Sequence, residues 1–288
     1  MMKTGYVATI GMFDGVHLGH QYVLQQVTLT ARERGLQSMA ITFDHTLRKE
    51  PLLTTLDEKL ALLQQLGIER TEVLAFTDAL KQMTAREFMQ QVLKERLDVR
   101  VLLIGYDNRF GRGRSESFDD YVRYGRELGI DVVQLSAQGT VCSSLIRQQL
   151  KEGRVVEAAH LLGHPYLLEG CVEHGEHIGT RLGYPTANLV PTDEQQLIPA
   201  LGVYAVRVAL DHQPTLHAAM MNIGHRPTFD GQHTTLEVHV LHLNEDLYGH
   251  QLTVHFIERL RDEQRFDSEE ALIAQLQKDL IQTEKILK

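Results

Sequence analysis

Two adjoining segments, Tyr6-Val-Ala-Thr-Ile10 and Gly11-Met-Phe-Asp-Gly-Val-His-Leu-Gly-His20, decide the fold of the first half of this 288-residue chain. Tyr6 to Ile10 reads as a short buried strand, and from His20 the apolar positions Val23, Leu24, Val27 and Ala31 recur at helical spacing. His17 and His20 therefore open the first helix of a βα unit. At such a helix start the backbone N–H groups lack intrahelical partners and the dipole presents its positive end, which favours an anion. Gly19 lets a phosphate approach the main chain closely. Taken alone, the two histidines are an ordinary surface pair on a helix cap. Glycines on both flanks and Asp14 in the turn favour the phosphate-site reading.

Working outward, strand-like runs at Ser38–Phe43, Glu72–Phe76, Val101–Ile104 and Asp131–Leu135 alternate with helical patterns. Thr55-Leu-Asp-Glu58 and Thr84-Ala-Arg-Glu87 are capping boxes that fix two helix starts. Alternating β and α predicts a doubly wound parallel sheet with ligands at the carboxyl ends of its strands, where both Gly11–His20 and the loop Gly105–Ser117 fall. From about Glu169 the texture changes to period-two strands such as Val203–Val208 and Leu236–Val240, which predict a small antiparallel barrel. Ser268–Leu287 reads as a closing amphipathic helix, and the helical stretch Gly153–Gly163 as a hinge. The expected domains are residues 1–155 and 156–288.

Charge divides the same way. Residues 1–155 carry 20 Lys and Arg against 19 Asp and Glu, and residues 156–288 carry 9 against 19, or +1 and −10. A net charge of −9 argues against nucleic acid as the main partner, because backbone-phosphate binding needs a basic face. Only Cys142 and Cys171 are present, too few for a disulfide framework. With no apolar leader or long apolar span in the sequence, the expectation is a soluble cytoplasmic protein with no membrane partner.

Neither G-x-x-x-x-G-K-[ST] nor G-x-G-x-x-G occurs, so any ATP chemistry uses other cradles. Ser143-Ser-Leu-Ile-Arg147 sets hydroxyls at a helix start with an arginine one turn on; it is a plain helix cap or the second jaw of a triphosphate clamp. Gly105-Tyr-Asp-Asn-Arg-Phe-Gly111 is a surface loop or a cover for a planar ligand. In the second half, Gly179-Thr-Arg-Leu-Gly-Tyr-Pro-Thr-Ala-Asn188 joins glycines to Thr186 and Asn188. Those two carry neutral oxygens suited to Mg²⁺ shared with substrate phosphates; the alternative is a turn entering a strand. Glu237 lies mid-strand on the face of His239, either solvated or directed into a site. His174 with His177 and His239 with His242 invite a metal reading, but no set has zinc-type spacing.

These residues resemble the bacterial bifunctional riboflavin kinase/FAD synthetases over nearly the whole chain. The motif G-x-F-D-G-x-H-x-G-H stands intact at Gly11–His20 and G-x-P-T-A-N at Gly183–Asn188, while Leu260-Arg-Asp-Glu263 and Phe266-Asp-Ser268 look like the family's C-terminal signature. The resemblance implies an α/β doubly wound nucleotidyltransferase domain of the HxGH type, followed by an antiparallel β-barrel riboflavin kinase domain with a C-terminal helix. The barrel would phosphorylate riboflavin with ATP, giving FMN and ADP, with Glu237 as the base. The first domain would join FMN to the AMP part of ATP, giving FAD and pyrophosphate, with His17, His20 and Arg147 stabilising charge. By the same resemblance ATP would meet Gly11, Phe13, Asp14, Gly19, Ser143 and Ser144 in one domain, and Gly179, Gly183, Pro185 and Thr186 in the other. Flavin would meet Asp107, Arg109 and Arg261, and Mg²⁺ would be held by Thr186 and Asn188.

The chain departs from the family pattern in several places. Thr42-Phe-Asp-His-Thr-Leu47 stands where a Pro-His-Pro element is usual, and Asn108 where the Gly105–Gly111 loop usually has an aromatic. Cys142 and Leu145 replace a Ser and a frequently basic residue; Thr180 replaces an Arg, and Arg226 an Asn. The kinase half is the better preserved. Two further readings follow: a riboflavin kinase whose first domain adenylylates poorly, and a flavin-binding regulatory protein.

Overall fold

The computed structural model describes residues 5–44, 50–106, 108–136, 141–174, 183–228, 231–243 and 245–288. By contact the chain divides into two compact units, Met1–Glu50 with Thr54–Cys142 and Pro51–Leu53 with Ser143–Lys288. This division falls ahead of the helices that lead to the barrel, whereas the sequence suggests a boundary after residue 155.

In the first unit, strands β1 (Tyr6–Ile10), β2 (Gln37–Phe43), β3 (Arg70–Leu74), β4 (Val99–Ile104) and β5 (Asp131–Gln134) form one sheet in the order β3-β2-β1-β4-β5. Every pairing is parallel. Helices α1 (Leu18–Arg34), α2 (Leu56–Gln65), α3 (Asp78–Gln82), α4 (Ala85–Glu87, continuing as a π-helical stretch Phe88–Arg96) and α5 (Phe118–Leu128) make the connections. Alternate strand residues feed two cores. Val7, Ala40, Val101 and Leu103 pack with Leu24, Val27 and Leu63 of α1 and α2, and Ala8, Ile10, Met39, Ile41 and Leu102 pack with Phe88, Met89 and Tyr121. Both faces are therefore covered, as a parallel sheet requires. Strand order reverses at β1, so the crevice of the doubly wound fold opens beyond the carboxyl ends of β1 and β4.

Both capping boxes read from the sequence form. Thr55 and Thr84 accept from the N–H groups of Glu58 and Glu87 while the two carboxylates reach back to the cap N–H groups.

The second unit begins with α6 (Ser143–Lys151) and α7 (Val155–Leu162). Six antiparallel strands follow: β6 (Tyr166–Glu173), β7 (Ala187–Pro191), β8 (Gly202–Leu210), β9 (Leu216–Thr228), β10 (Gly231–Val240) and β11 (Gln251–Arg261). They close as β10-β7-β6-β11-β8-β9, which leaves no sheet edge exposed. Tyr166, Leu168, Val206, Met221, Ile223, Val238, Val254 and Phe256 are among the buried side chains of these strands. Helix α8 (Glu269–Ile286) is capped by Ser268, whose side chain accepts from Ala271 N. An ion pair holds α8 to the barrel. Arg261 donates from Nε to both oxygens of Asp279 at 3.1 and 2.9 Å, Asp279 is 1% exposed, and Gln275 Nε2 donates to the same carboxylate at 2.8 Å.

Candidate active sites

The first site lies where β1 ends. His17 caps α1 with extended backbone, and its Nδ1 accepts from His20 N at 3.4 Å. A ring nitrogen that accepts carries no proton, so neutral His17 has its proton on Nε2. The two imidazoles stack with centroids 3.6 Å apart and planes at 16°, and Phe13 meets His20 edge-on at 5.4 Å. His20 Nδ1 is enclosed and has no hydrogen-bond partner among the described residues. Burial, then the neighbouring His17 and Lys59 charges, hold His20 well below the usual imidazole range, so it is neutral at pH 7. A Cβ at Gly19 would stand 3.2 Å from the His17 ring, a tight contact that a larger residue could make only if the ring shifted.

The turn itself is strained, with Phe13 and Val16 at φ 49° and 38°. Several contacts hold it in that shape. Gly15 N donates to Thr54 Oγ1 at 3.1 Å, Thr54 N to Asp14 Oδ1 at 3.3 Å, and Thr42 Oγ1 to Met12 O at 3.3 Å. Lys59, 6% exposed, donates from Nζ to Met12 O at 3.3 Å and Phe43 O at 3.1 Å, joining the ends of β1 and β2. Burial pushes its ammonium down, and the carboxylates of Asp14 and Asp44 oppose that shift. Sequence reasoning missed Lys59. The signal was a lysine four residues before Leu63 on the buried face of α2.

Beyond β4, the Asn108 carboxamide donates to Ile10 O, so this residue ties the Gly105–Gly111 loop to the end of β1. Arg109 NH1 donates to Glu116 O at 2.7 Å. The buried Tyr121 hydroxyl accepts from Phe110 N at 3.1 Å and donates to Phe110 O at 3.0 Å, which fixes the loop's far end. Asp107 lies outside the described residues. Ser143, Ser144 and Arg147 belong to α6 in the second unit. There Arg147 is 5% exposed and its Nε donates to Pro51 O at 2.7 Å.

The barrel site is set by strand register. On β10 Leu236, Val238 and Val240 are buried, which puts Glu237 and His239 on the outer face, each half-covered. Glu237 pairs with Asn188 of β7 on one side and Asn222 of β9 on the other. A carboxylate thus lies between two carboxamides across three neighbouring strands. Ahead of Asn188, Gly183 has φ 82° in the turn that carries Pro185 and Thr186, a conformation that favours glycine. His239 Nδ1 lies 2.7 Å from Pro185 O, and Tyr184 meets its ring edge-on at 5.6 Å. A cavity of ≈ 210 Å³ beside this turn is lined by Pro185, Thr186, Val238, His174 and Tyr248 among others, the last two rings stacked at 3.5 Å. The Thr186 hydroxyl and Asn188 carbonyl are a donor set that fits Mg²⁺, which takes few protein oxygens beside phosphates and water. Arg261 is engaged with Asp279, and its guanidinium lies 5.8 Å from the Phe266 ring. Gly179 lies outside the described residues, as does His177. His242 Nε2 sits 3.3 Å from Glu284 Oε1, and among the described residues no group of three or more His, Cys, Asp or Glu could hold a metal.

A doubly wound sheet with paired histidines at a helix start, followed in one chain by a six-stranded barrel with an outward carboxylate, defines a two-domain enzyme class acting on nucleotide phosphates. Comparison with known proteins narrows it. The FAD synthetase family model matches residues 1–145 and the riboflavin kinase family model residues 162–287. The chain is 36% identical to the bifunctional riboflavin kinase/FMN adenylyltransferase of Listeria monocytogenes, covering 95% of this chain and 90% of the relative. It is 39% identical to the protein of that name from Escherichia coli, covering 96% and 91%. A crystal structure described as a macrolide-efflux protein from Streptococcus pneumoniae superposes with a TM-score of 0.89 at 31% identity, over 99% of this chain and 95% of that one. The chain belongs to the bifunctional riboflavin kinase/FMN adenylyltransferase family. Among the described residues no helix is long and apolar enough to cross a membrane.

Proposed function

We propose that this chain carries out both reactions of its family, phosphorylating riboflavin on the barrel and adenylylating the resulting FMN in the first unit. The observation that carries the reading is the row Asn188–Glu237–Asn222, which places a carboxylate between two carboxamides on the strand paired with the one that follows the Thr186 turn. An alcohol is a weak nucleophile at neutral pH. Glu237 accepts the proton of the terminal ribityl hydroxyl as its oxygen bonds to the γ-phosphorus of ATP, and ADP leaves. Thr186 and Asn188 orient the phosphates, the cavity beside Pro185 takes the nucleobase, and bound Mg²⁺ offsets phosphate charge. Gly179 and Gly183 give the phosphates access to the main chain.

In the first unit the nucleophile is the FMN phosphate, largely dianionic above its second pKa of about 6, so no base is needed. Its oxygen bonds to the α-phosphorus of ATP, and pyrophosphate leaves. The α1 N–H groups and the Nε2–H of His17 face the developing charge, with neutral His20 supporting the ring of His17. Gly11, Phe13, Asp14 and Gly19 shape this cradle. Asp107 and Arg109 supply the flavin contacts. On the barrel, Arg261 anchors the wall of the flavin site through Asp279.

Asn108 favours a slower second step, because its carboxamide is committed to Ile10 O and it offers a flavin no ring to stack on. A chromatographic time course with riboflavin, ATP and Mg²⁺ tests the whole reading. FMN should rise first and then give way to FAD. FMN that accumulates without FAD would leave only the kinase, and no flavin product at all would refute both activities.

A further inference from the structure

His239 takes no part in the phosphoryl transfer just described, yet its ring is placed with care. The β7–β10 pairing runs through Glu237 with Asn188 and Val238 with Ala187. One step further along that register would set His239 opposite Thr186, where β7 has not begun and the chain is still turning through Pro185. The imidazole covers that step. Its Nδ1 lies 2.7 Å from Pro185 O, and because a carbonyl can only accept, the ring nitrogen donates and bears the proton. Tyr184, edge-on to the ring at 5.6 Å and 67°, holds the imidazole from the same turn. Thr186 is therefore bracketed: Pro185 on one side is bonded to the His239 ring, and Asn188 on the other is paired in the ladder with Glu237.

We propose that His239 is a positioning residue of the kinase site, whose Nδ1–H fixes the Pro185–Thr186 segment against β10 and so sets the Thr186 hydroxyl and Asn188 carboxamide at a defined distance from Glu237. The inference rests on the kinase reading of the barrel. It assigns to His239 an effect on nucleotide affinity exerted through the Pro185–Thr186 segment, and no proton transfer. Loss of the donor should loosen the turn before ATP binds, so the cost falls on nucleotide affinity.

Three variants separate the donor from the ring. His239→Phe keeps a ring against Tyr184 and removes the N–H, His239→Ala removes both, and His239→Asn carries an amide N–H the same number of bonds from Cα as Nδ1. Binding of ADP with Mg²⁺ by calorimetry should weaken about tenfold in the Phe and Ala variants and recover in Asn, the scale of one hydrogen bond. KM for ATP should rise in parallel with kcat for riboflavin phosphorylation unchanged, and FAD formation from supplied FMN should stay at the parental rate in all three. A Phe variant that binds like the parent would overturn the proposal. So would an Asn variant as weak as Phe, or a joint fall of both activities. If the parent binds ADP but turns over no riboflavin, the kinase reading fails, while the binding series still judges His239.

Discussion

The site at the head of α1 and the site on the outer face of the barrel handle phosphates with different materials. The first is built largely of main chain: helix N–H groups, a turn with two non-glycine residues at positive φ, and carbonyls clamped by Lys59. The second is built of side chains whose spacing comes from the sheet, with Asn188, Glu237 and Asn222 at one level of three strands. A main-chain site depends on what holds the turn, and buried polar contacts do that work. A register site depends on individual side chains, and single substitutions there should be cleaner.

The sharpest break between the two regions should come from Glu237→Gln. Losing a positioned base is expected to slow riboflavin phosphorylation about 10³-fold, with FAD formation from supplied FMN unaffected. Coupled ADP and pyrophosphate assays on one preparation measure both. Next in size, His17→Ala should lower FAD formation from FMN about 10²-fold and spare the kinase, as removal of one donor to developing charge does. A fall in both activities would contradict the separation of the sites.

A smaller effect sharpens the contrast through stability. Tyr121→Phe leaves Phe110 N and O without their buried partner, and should cost the first unit about 1–3 kcal/mol by denaturant titration. KM for FMN should rise with it, because the Gly105–Gly111 loop loses its far anchor. Smallest is a pH effect. His20 is held below its unfolded pKa of 6.5, so its contribution to stability is full above pH 6.5 and is lost as pH falls from there towards the lower folded value. Urea midpoints of the first unit should drop with acidification below that point, and His20→Gln should flatten this part of the profile.

Much of this architecture was legible because its signals are local. The Tyr6–Ile10 strand, the helix opening at His17 and both capping boxes depend on neighbours within four residues, and the structure reproduces them. The third strand shows where locality fails. Apolar content suggests Glu72–Phe76, but pairing with β2 fixes it at Arg70–Leu74. There Phe76 N is taken by Asp44 Oδ1 and Thr77 N by Ala75 O, so the chain has left the sheet. The π-helical stretch Phe88–Arg96 keeps an apolar pattern compatible with an ordinary helix. Alternation showed that Glu237 and His239 share a face. That the face looks outward, and that two asparagines flank Glu237, follows only from barrel closure, which no local pattern encodes. Lys59 was obscured because it works through a carbonyl 47 residues away; Arg147 was legible as a candidate, but its bond to Pro51 O, 96 residues away, was not.

If two independent sites share this chain, two variants each disabled at one site should complement each other when mixed. Glu237→Gln alone and the His17→Ala/His20→Ala double variant alone should each fail to convert riboflavin to FAD, the second stopping at FMN. Mixed with riboflavin, ATP and Mg²⁺, they should produce FAD, because FMN released by one chain is taken up by the other. A mixture that accumulates FMN and makes no FAD, from variants that each retain their own half-reaction, would show that the two sites do not act independently.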